Sequence, residues 1–312
     1  EIDAALPTLK EEGLVYPFTL TIDLVRDADL AVANAEAPIT DGGTRFPIYK
    51  DYIYRAPAAS ARALAFAGFD VLELANNHAL DYGSSGLLDT IRNARAAGMV
   101  TVGGGADPVQ ARRGLIVNLG GVRVGLLDYC ERQILWRVYV DQFVRPGHPG
   151  VAALTGGALA RDIARLRPEV DVLVVSFHIG DNYAPPRAST IRWSERAIDL
   201  GADLVVDHHP HVAHPILLHH GKPILLSLGN YAFGTPGHYQ LDYGFLALAH
   251  LSHQRLDRIE IVPLAVQNRR VHFRPEPLRG AELERALERL VRESAPLGAH
   301  VRIDSGRGIL DL

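Results

Sequence analysis

"IRWSERAIDLGADLVVDHHPHVAHP" (residues 191–215) holds one complete folding unit. Its first ten residues have helical spacing, Gly201-Ala202-Asp203 makes a turn, and Leu204-Val205-Val206 is a short, unbroken apolar run. Such a run, with no polar alternation, predicts a strand buried on both faces. Four histidines then fall within seven positions: His208, His209, His211 and His214. Two readings are open: a metal site at the end of a buried strand, or a polar loop rich in histidine.

The same order occurs twice more. "AASARALAFAGFDVLELANNHALDYG" (58–83) and "ALARDIARLRPEVDVLVVSFHIGDNY" (158–183) each run from helix through turn and apolar strand to a polar cluster. Alternating helices and buried strands predict the α/β class. In open α/β sheets the working residues lie beyond the carboxyl ends of the strands. Glu36, Asn76-Asn77-His78, His178 and His208 to His214 all fall there, and are expected to share one sheet edge. Further strands are expected at "RVGLLDYC", "KPILLSLGN", "GFLALAHLS" and "RIEIVPLAV", the last two as an antiparallel addition.

Composition narrows the function classes. The 312 residues are 47% apolar and 22% charged, with a formal net charge of −4, so no nucleic-acid partner is expected. The single Cys130 excludes zinc sites built from cysteine clusters. No apolar run approaches the roughly 18 residues of a membrane span. Residues 131–150, with Trp136, Tyr139 and Phe143, break the rhythm and form an expected insertion, either a lid or a packing loop. Residues 1–274 are read as one domain carrying that insertion. Residues 275–312 follow as a linker and an amphipathic helix packed on it.

His209-Pro210-His211 has H-x-H spacing, and in an extended backbone both imidazoles point to one side. His178 ends another buried strand, and neutral imidazoles suit zinc, iron, manganese or nickel. Asn77 is a usable oxygen donor, and His78 beside it is placed to protonate a leaving group. Asn76, Asn77 and Asp81 also read as a turn, with Ser84 or Ser85 capping the following helix. Glu36 is a carboxylate suited to bridging two metals roughly 3.5–4 Å apart. Ser227 and Asn230 in "SLGNYAFG", and Tyr54 and Arg55 in "YRAP", are candidates for supporting ligands or binding an anion.

"NAEAPIT", "ELANNHALDYG", "SFHIGDNY", "GADLVVDHHPHV" and "KPILLSLGNYAFG", in this order over about residues 10–270, resemble the CapA/PgsA family. These bacterial capsule or poly-γ-glutamate synthesis proteins belong to the metallophosphoesterase superfamily. The resemblance implies a four-layered α/β/β/α sandwich and one or two divalent ions (Mn, Fe or Zn). It implies Glu36 as bridging ligand, Asn77, His178 and His209 on one metal, His211 on the other, and His78 as general acid. Asn34, Arg55, Asn76, Asp81, Asp181, Tyr183, His208, Ser227 and Asn230 are then expected around the ligands or against the substrate. The family's opening strand, whose Gly-Asp supplies a further ligand, would precede Glu1. Asp207 stands where the family commonly has Gly, and Asn182 where it has Glu.

Two functions follow from the resemblance. One is a metal-dependent hydrolase acting on a phosphoester or a glutamyl-polymer-related substrate. The other is a non-catalytic part of membrane-associated capsule machinery that binds an anionic polymer, with Arg45, Arg55, Arg132, Arg137 and Arg187 as candidate contacts. A serine hydrolase is disfavoured because no G-x-S-x-G elbow occurs.

Overall fold

The computed structural model describes residues 2–46, 52–132, 142–233 and 243–312. The chain divides into two compact units, Glu1–Leu115 with Leu127–Ala158, and Ile116–Leu126 with Leu159–Leu312. The α/β class expected from the sequence is found, and no helix among the described residues is long and apolar enough to cross a membrane.

The first unit is built on a parallel sheet of Val32–Asn34, Val71–Glu73 and Val100–Val102, in that order. All three residues of the central strand are buried. Helix Ser60–Ala67 leads into it through Gly68, whose φ of 103° is a left-handed C-cap. A Cβ there would stand 2.8 Å from Arg26 Cγ, so glycine meets both the backbone and the packing requirement. Helix Gly83–Ala96 leads on to the third strand. It starts without a side-chain cap, contrary to the serine cap expected: Ser84 Oγ instead donates to Pro149 O at 3.2 Å.

The second unit contributes Ile216–His219, Lys222–Leu225, Leu204–His208, Val172–His178, residues 122–126 and residues 116–119, in that order, to a six-stranded sheet. Leu204–His208 runs parallel to both neighbours, and Val174 pairs with Leu204. Helix Ala188–Leu200 ends at Gly201 (φ 119°) and so delivers the chain to the strand carrying the histidines. Behind that turn, Asp203 accepts from Arg167 Nη1 at 2.5 Å, Lys222 Nζ at 2.9 Å and the Leu173 amide at 2.8 Å. Burial works against its carboxylate, but these donors outweigh it and hold its pKa below the usual value.

Gly244–Ser252 and Arg255–Ala265 pair antiparallel as expected, but do not extend the parallel sheet. They form a second sheet with Arg307–Asp311 and Arg302–Asp304. Leu290 of the amphipathic helix Gly280–Ser294 joins Leu204, Ile216, Phe245, Ile259 and Leu310 in the core between these elements. Burying each such side chain contributes about 1.5–3 kcal/mol.

One expectation is corrected. Among the described residues the polar clusters do not share one sheet edge: Glu36 and Asn76–His78 follow strands of the three-stranded sheet, whereas His178 and His208–His211 follow strands of the six-stranded one. Helix–strand order alone does not say which strands hydrogen-bond to which. Of the expected insertion, residues 133–141, with Trp136, Arg137 and Tyr139, lie outside the described residues. Within its described part Phe143 is buried, and the Val144 amide donates to Val151 O at 3.0 Å.

Candidate functional site

In the first unit a polar network forms where the chain leaves the parallel strands. Asn76 is fully buried, and its Nδ2 donates to Ala35 O at 2.9 Å and to Asn34 Oδ1 at 3.1 Å. Asn34 Nδ2 in turn donates to Glu36 Oε2 at 3.3 Å. Asn76 Oδ1 accepts the His78 amide at 3.1 Å, so one asparagine ties both strand ends together. Asn77, between them, is also buried.

His78 is oriented from two sides. Its Nδ1 lies 2.7 Å from Asp81 Oδ2, and the Tyr54 ring packs on the imidazole with centroids 4.1 Å apart. The carboxylate is an acceptor, which places the ring proton on Nδ1 and leaves Nε2 as the working nitrogen. The turn expected from Asn76, Asn77 and Asp81 is therefore also the support of the candidate acid. Arg55 extends over the Tyr82 ring at 4.5 Å.

Asp128 and Glu73 form a buried carboxyl pair in this unit. Asp128 Oδ2 accepts the Ala75 amide at 2.8 Å. Burial, and then the neighbouring Glu73, push its pKa well up despite the backbone donors.

In the second unit His178, His209 and His211 are all buried. His209 Nδ1 is 3.1 Å from His178 Nε2, and the His209 and His211 ring centroids are 6.0 Å apart. The imidazoles do not converge by an extended H-x-H backbone, as expected from the spacing. Leu204–His208 ends one residue earlier, and His209 and His211 take φ values of 100° and 60° on either side of Pro210. Left-handed backbone at non-glycine residues costs on the order of 1–3 kcal/mol each and concentrates at functional sites.

The surroundings hold this loop. Tyr183, itself at φ 57°, donates its amide to Pro210 O at 2.8 Å and stacks its ring on His211. Phe233 packs on the other part of that imidazole, with centroids 4.6 Å apart. His211 Nδ1 lies 2.8 Å from Asn230 Oδ1, which leaves Nε2 as the lone-pair nitrogen. Burial lowers the His211 pKa to about 4, against the opposing effect of Asn230, so the ring is neutral at physiological pH.

The other sequence candidates take up separate structural roles. Ser227 Oγ accepts the Gly229 amide at 3.1 Å and shapes the turn before Asn230. His208 ends its strand in register with His178, within the ladder. Asp181 is exposed and faces Arg187 at 3.4 Å. His214 belongs to the sequence cluster but has its ring nitrogens 3.3 Å from Leu226 O and 3.0 Å from Ala184 O. Its role is therefore to tie backbone segments together. Asp207 accepts from Ser194 Oγ at 2.8 Å, linking strand to helix. Phe233 was not singled out from sequence, because an aromatic after an apolar strand reads as core.

Three buried imidazoles are donors that suit a borderline divalent ion. Ligand atoms at 2.0–2.1 Å on a tetrahedral ion lie roughly 3.3 Å apart. The 3.1 Å between His178 Nε2 and His209 Nδ1 fits that geometry.

Comparison with known proteins places the chain. The sequence profile of the family described as bacterial capsule synthesis protein PGA_cap matches residues 2–235. Capsule biosynthesis protein CapA of Bacillus anthracis is 28% identical over 264 residues, covering 82% of this chain and 62% of that protein. PGA biosynthesis protein CapA of Bacillus subtilis is 28% identical over 260 residues, covering 82% and 67%. A probable polyglutamine synthesis accessory protein of Mycobacterium tuberculosis is 32% identical over 259 residues, covering 78% and 67%. The chain thus spans about two-thirds of the length of these relatives, and its matched part includes both polar clusters: it belongs to the bacterial capsule synthesis protein PGA_cap family.

Proposed function

We propose that the protein is a metal-dependent hydrolase acting on a phosphoester or a γ-glutamyl linkage in the making of an anionic capsule polymer. The observation that carries this reading is the buried imidazole set, with His178 Nε2 and His209 Nδ1 3.1 Å apart and a neutral His211 beside them. His178, His209 and His211 would hold the ion, with Glu36 and Asn77 as the oxygen donors implied by the family resemblance. A bound divalent ion would supply Lewis acidity, polarising a substrate oxygen and making water nucleophilic near neutral pH. His78, with its Nδ1–H held by Asp81, would in its imidazolium form give the Nε2 proton to the leaving group and return to the Nδ1–H tautomer.

The test is metal content by plasma mass spectrometry on protein purified without chelator or metal resin. Turnover of phosphodiester and γ-glutamyl substrates is then measured for wild type and for His78→Ala. One or two equivalents of Mn, Fe or Zn, with turnover lost in His78→Ala, supports the proposal. Absence of metal after reconstitution refutes it. Metal without turnover favours the non-catalytic, polymer-binding role, which agrees with a relative named as a synthesis accessory protein.

A further inference from the structure

In the second unit, helix Ala188–Leu200 carries Glu195 and Asp199 one turn apart, and a β-hairpin carries His219 at the end of its first strand and His220 in its turn. Strands Ile216–His219 and Lys222–Leu225 pair antiparallel, with His219 opposite Lys222, so His220 and Gly221 alone form the turn. Their φ values, 51° and 74°, are those of a type I′ turn, which favours Asn-Gly. In an extended chain, consecutive side chains point to opposite faces. Here the left-handed residue breaks that alternation, and the two imidazole centroids stand 4.2 Å apart.

The donor atoms converge on one point. His219 Nε2 lies 2.7 Å from Asp199 Oδ1, and His220 Nε2 lies 3.4 Å from the same oxygen. One ligand atom from each of Asp199, His219 and His220 falls within 4.8 Å of the others. On the far side of the ring, His219 Nδ1 is 3.7 Å from Glu195 Oε1. The side chains of His219, Asp199 and His220 are 22%, 53% and 73% exposed, so an ion reaches them without any opening of the fold.

We propose that Asp199, His219 and His220 form a second metal site, on the surface, for a borderline divalent transition ion such as zinc. Two imidazoles and one carboxylate select zinc, copper or nickel over magnesium or calcium. Ligand atoms around such an ion lie roughly 3.3 Å apart, so the observed 2.7 and 3.4 Å separations need shifts of less than an ångström. On binding, the His219 proton sits on Nδ1 facing Glu195, and Nε2 turns its lone pair to the ion. Glu195 then has the role of the outer carboxylate that orients metal-binding histidines. The ion would clamp the helix to the hairpin and leave a coordination position for water or an external donor.

The site is independent of the strand-end histidines, whose number is the same in every variant used. The experiment is isothermal titration of tag-free, chelator-stripped protein with zinc chloride, with folding checked by circular dichroism. Compared with wild type, His219→Ala combined with His220→Gly, the glycine suiting the turn, should bind one equivalent fewer. Glu195→Gln should keep the stoichiometry and weaken that equivalent about 10-fold or more. Equal stoichiometry in wild type and the double variant overturns the proposal and leaves a surface ion pair. Equal binding of magnesium at the same equivalent overturns it as well.

Discussion

Asp81 Oδ2 stands 2.7 Å from His78 Nδ1 and accepts the Tyr54 amide at the same distance. One buried carboxylate oxygen therefore sets the imidazole and fixes the segment that begins with its aromatic cover.

Asp81→Asn should separate orientation from metal binding. The amide oxygen can still accept from Tyr54, but the carboxylate that fixes the His78 tautomer is gone. Turnover by the proposed hydrolase should fall about 10²-fold or more, with metal content unchanged. Parallel loss of metal and turnover would assign Asp81 to the integrity of the site instead.

Asn230→Ala should act on the other histidine group. It removes the 2.8 Å partner of His211 Nδ1 and frees the ring to rotate or change tautomer. Zinc or manganese affinity should fall about 10–100-fold in a competition titration with a chelating dye. Far-ultraviolet circular dichroism should be unchanged, because Asn230 lies outside the strands.

Two aspartates should give pH slopes of opposite sign. The pKa of Asp203 is depressed in the folded chain. Its stabilisation is complete above the unfolded value of about 3.9 and is lost as pH falls through the lower folded value. Asp203→Asn should cost about 1.5 kcal/mol at neutral pH, the low end for a charge-assisted bond at a partly exposed site. That deficit should shrink in acid. Asp128 is raised, chiefly by burial, so its contribution is present in acid and lost as pH rises through the folded value. Asp128→Asn should lose ground in acid and gain relative to wild type in alkali, as read by urea midpoints from pH 4 to 9.

The strands and their polar ends were legible because buried β-branched runs bounded by helices leave few alternatives. Leu204–His208 and Val172–His178 lie where the apolar runs place them. The division into separate sheets was not legible, since hydrogen-bond partners depend on contacts distant in sequence. Nor was the means by which His209 and His211 converge: H-x-H spacing implies an extended backbone, and only tertiary packing around Pro210 holds the left-handed one. Arg302–Asp304 escaped because it is short and exposed, and Arg307–Asp311 because it is short and pairs with a strand some 50 residues earlier. At His219 and His220 the turn was invisible, because histidine carries none of the usual Asn-Gly signal.

The loop from His208 to His211 also has a consequence for time scales. Its two left-handed residues flank a proline, and the Pro210 carbonyl is bound by the Tyr183 amide at 2.8 Å. Such a loop does not flex in small steps; it opens by crossing backbone barriers. An ion held by its imidazoles would therefore exchange slowly, at the rate of loop opening. Amide hydrogen exchange at Tyr183 and release of metal to excess chelator should then share one rate constant.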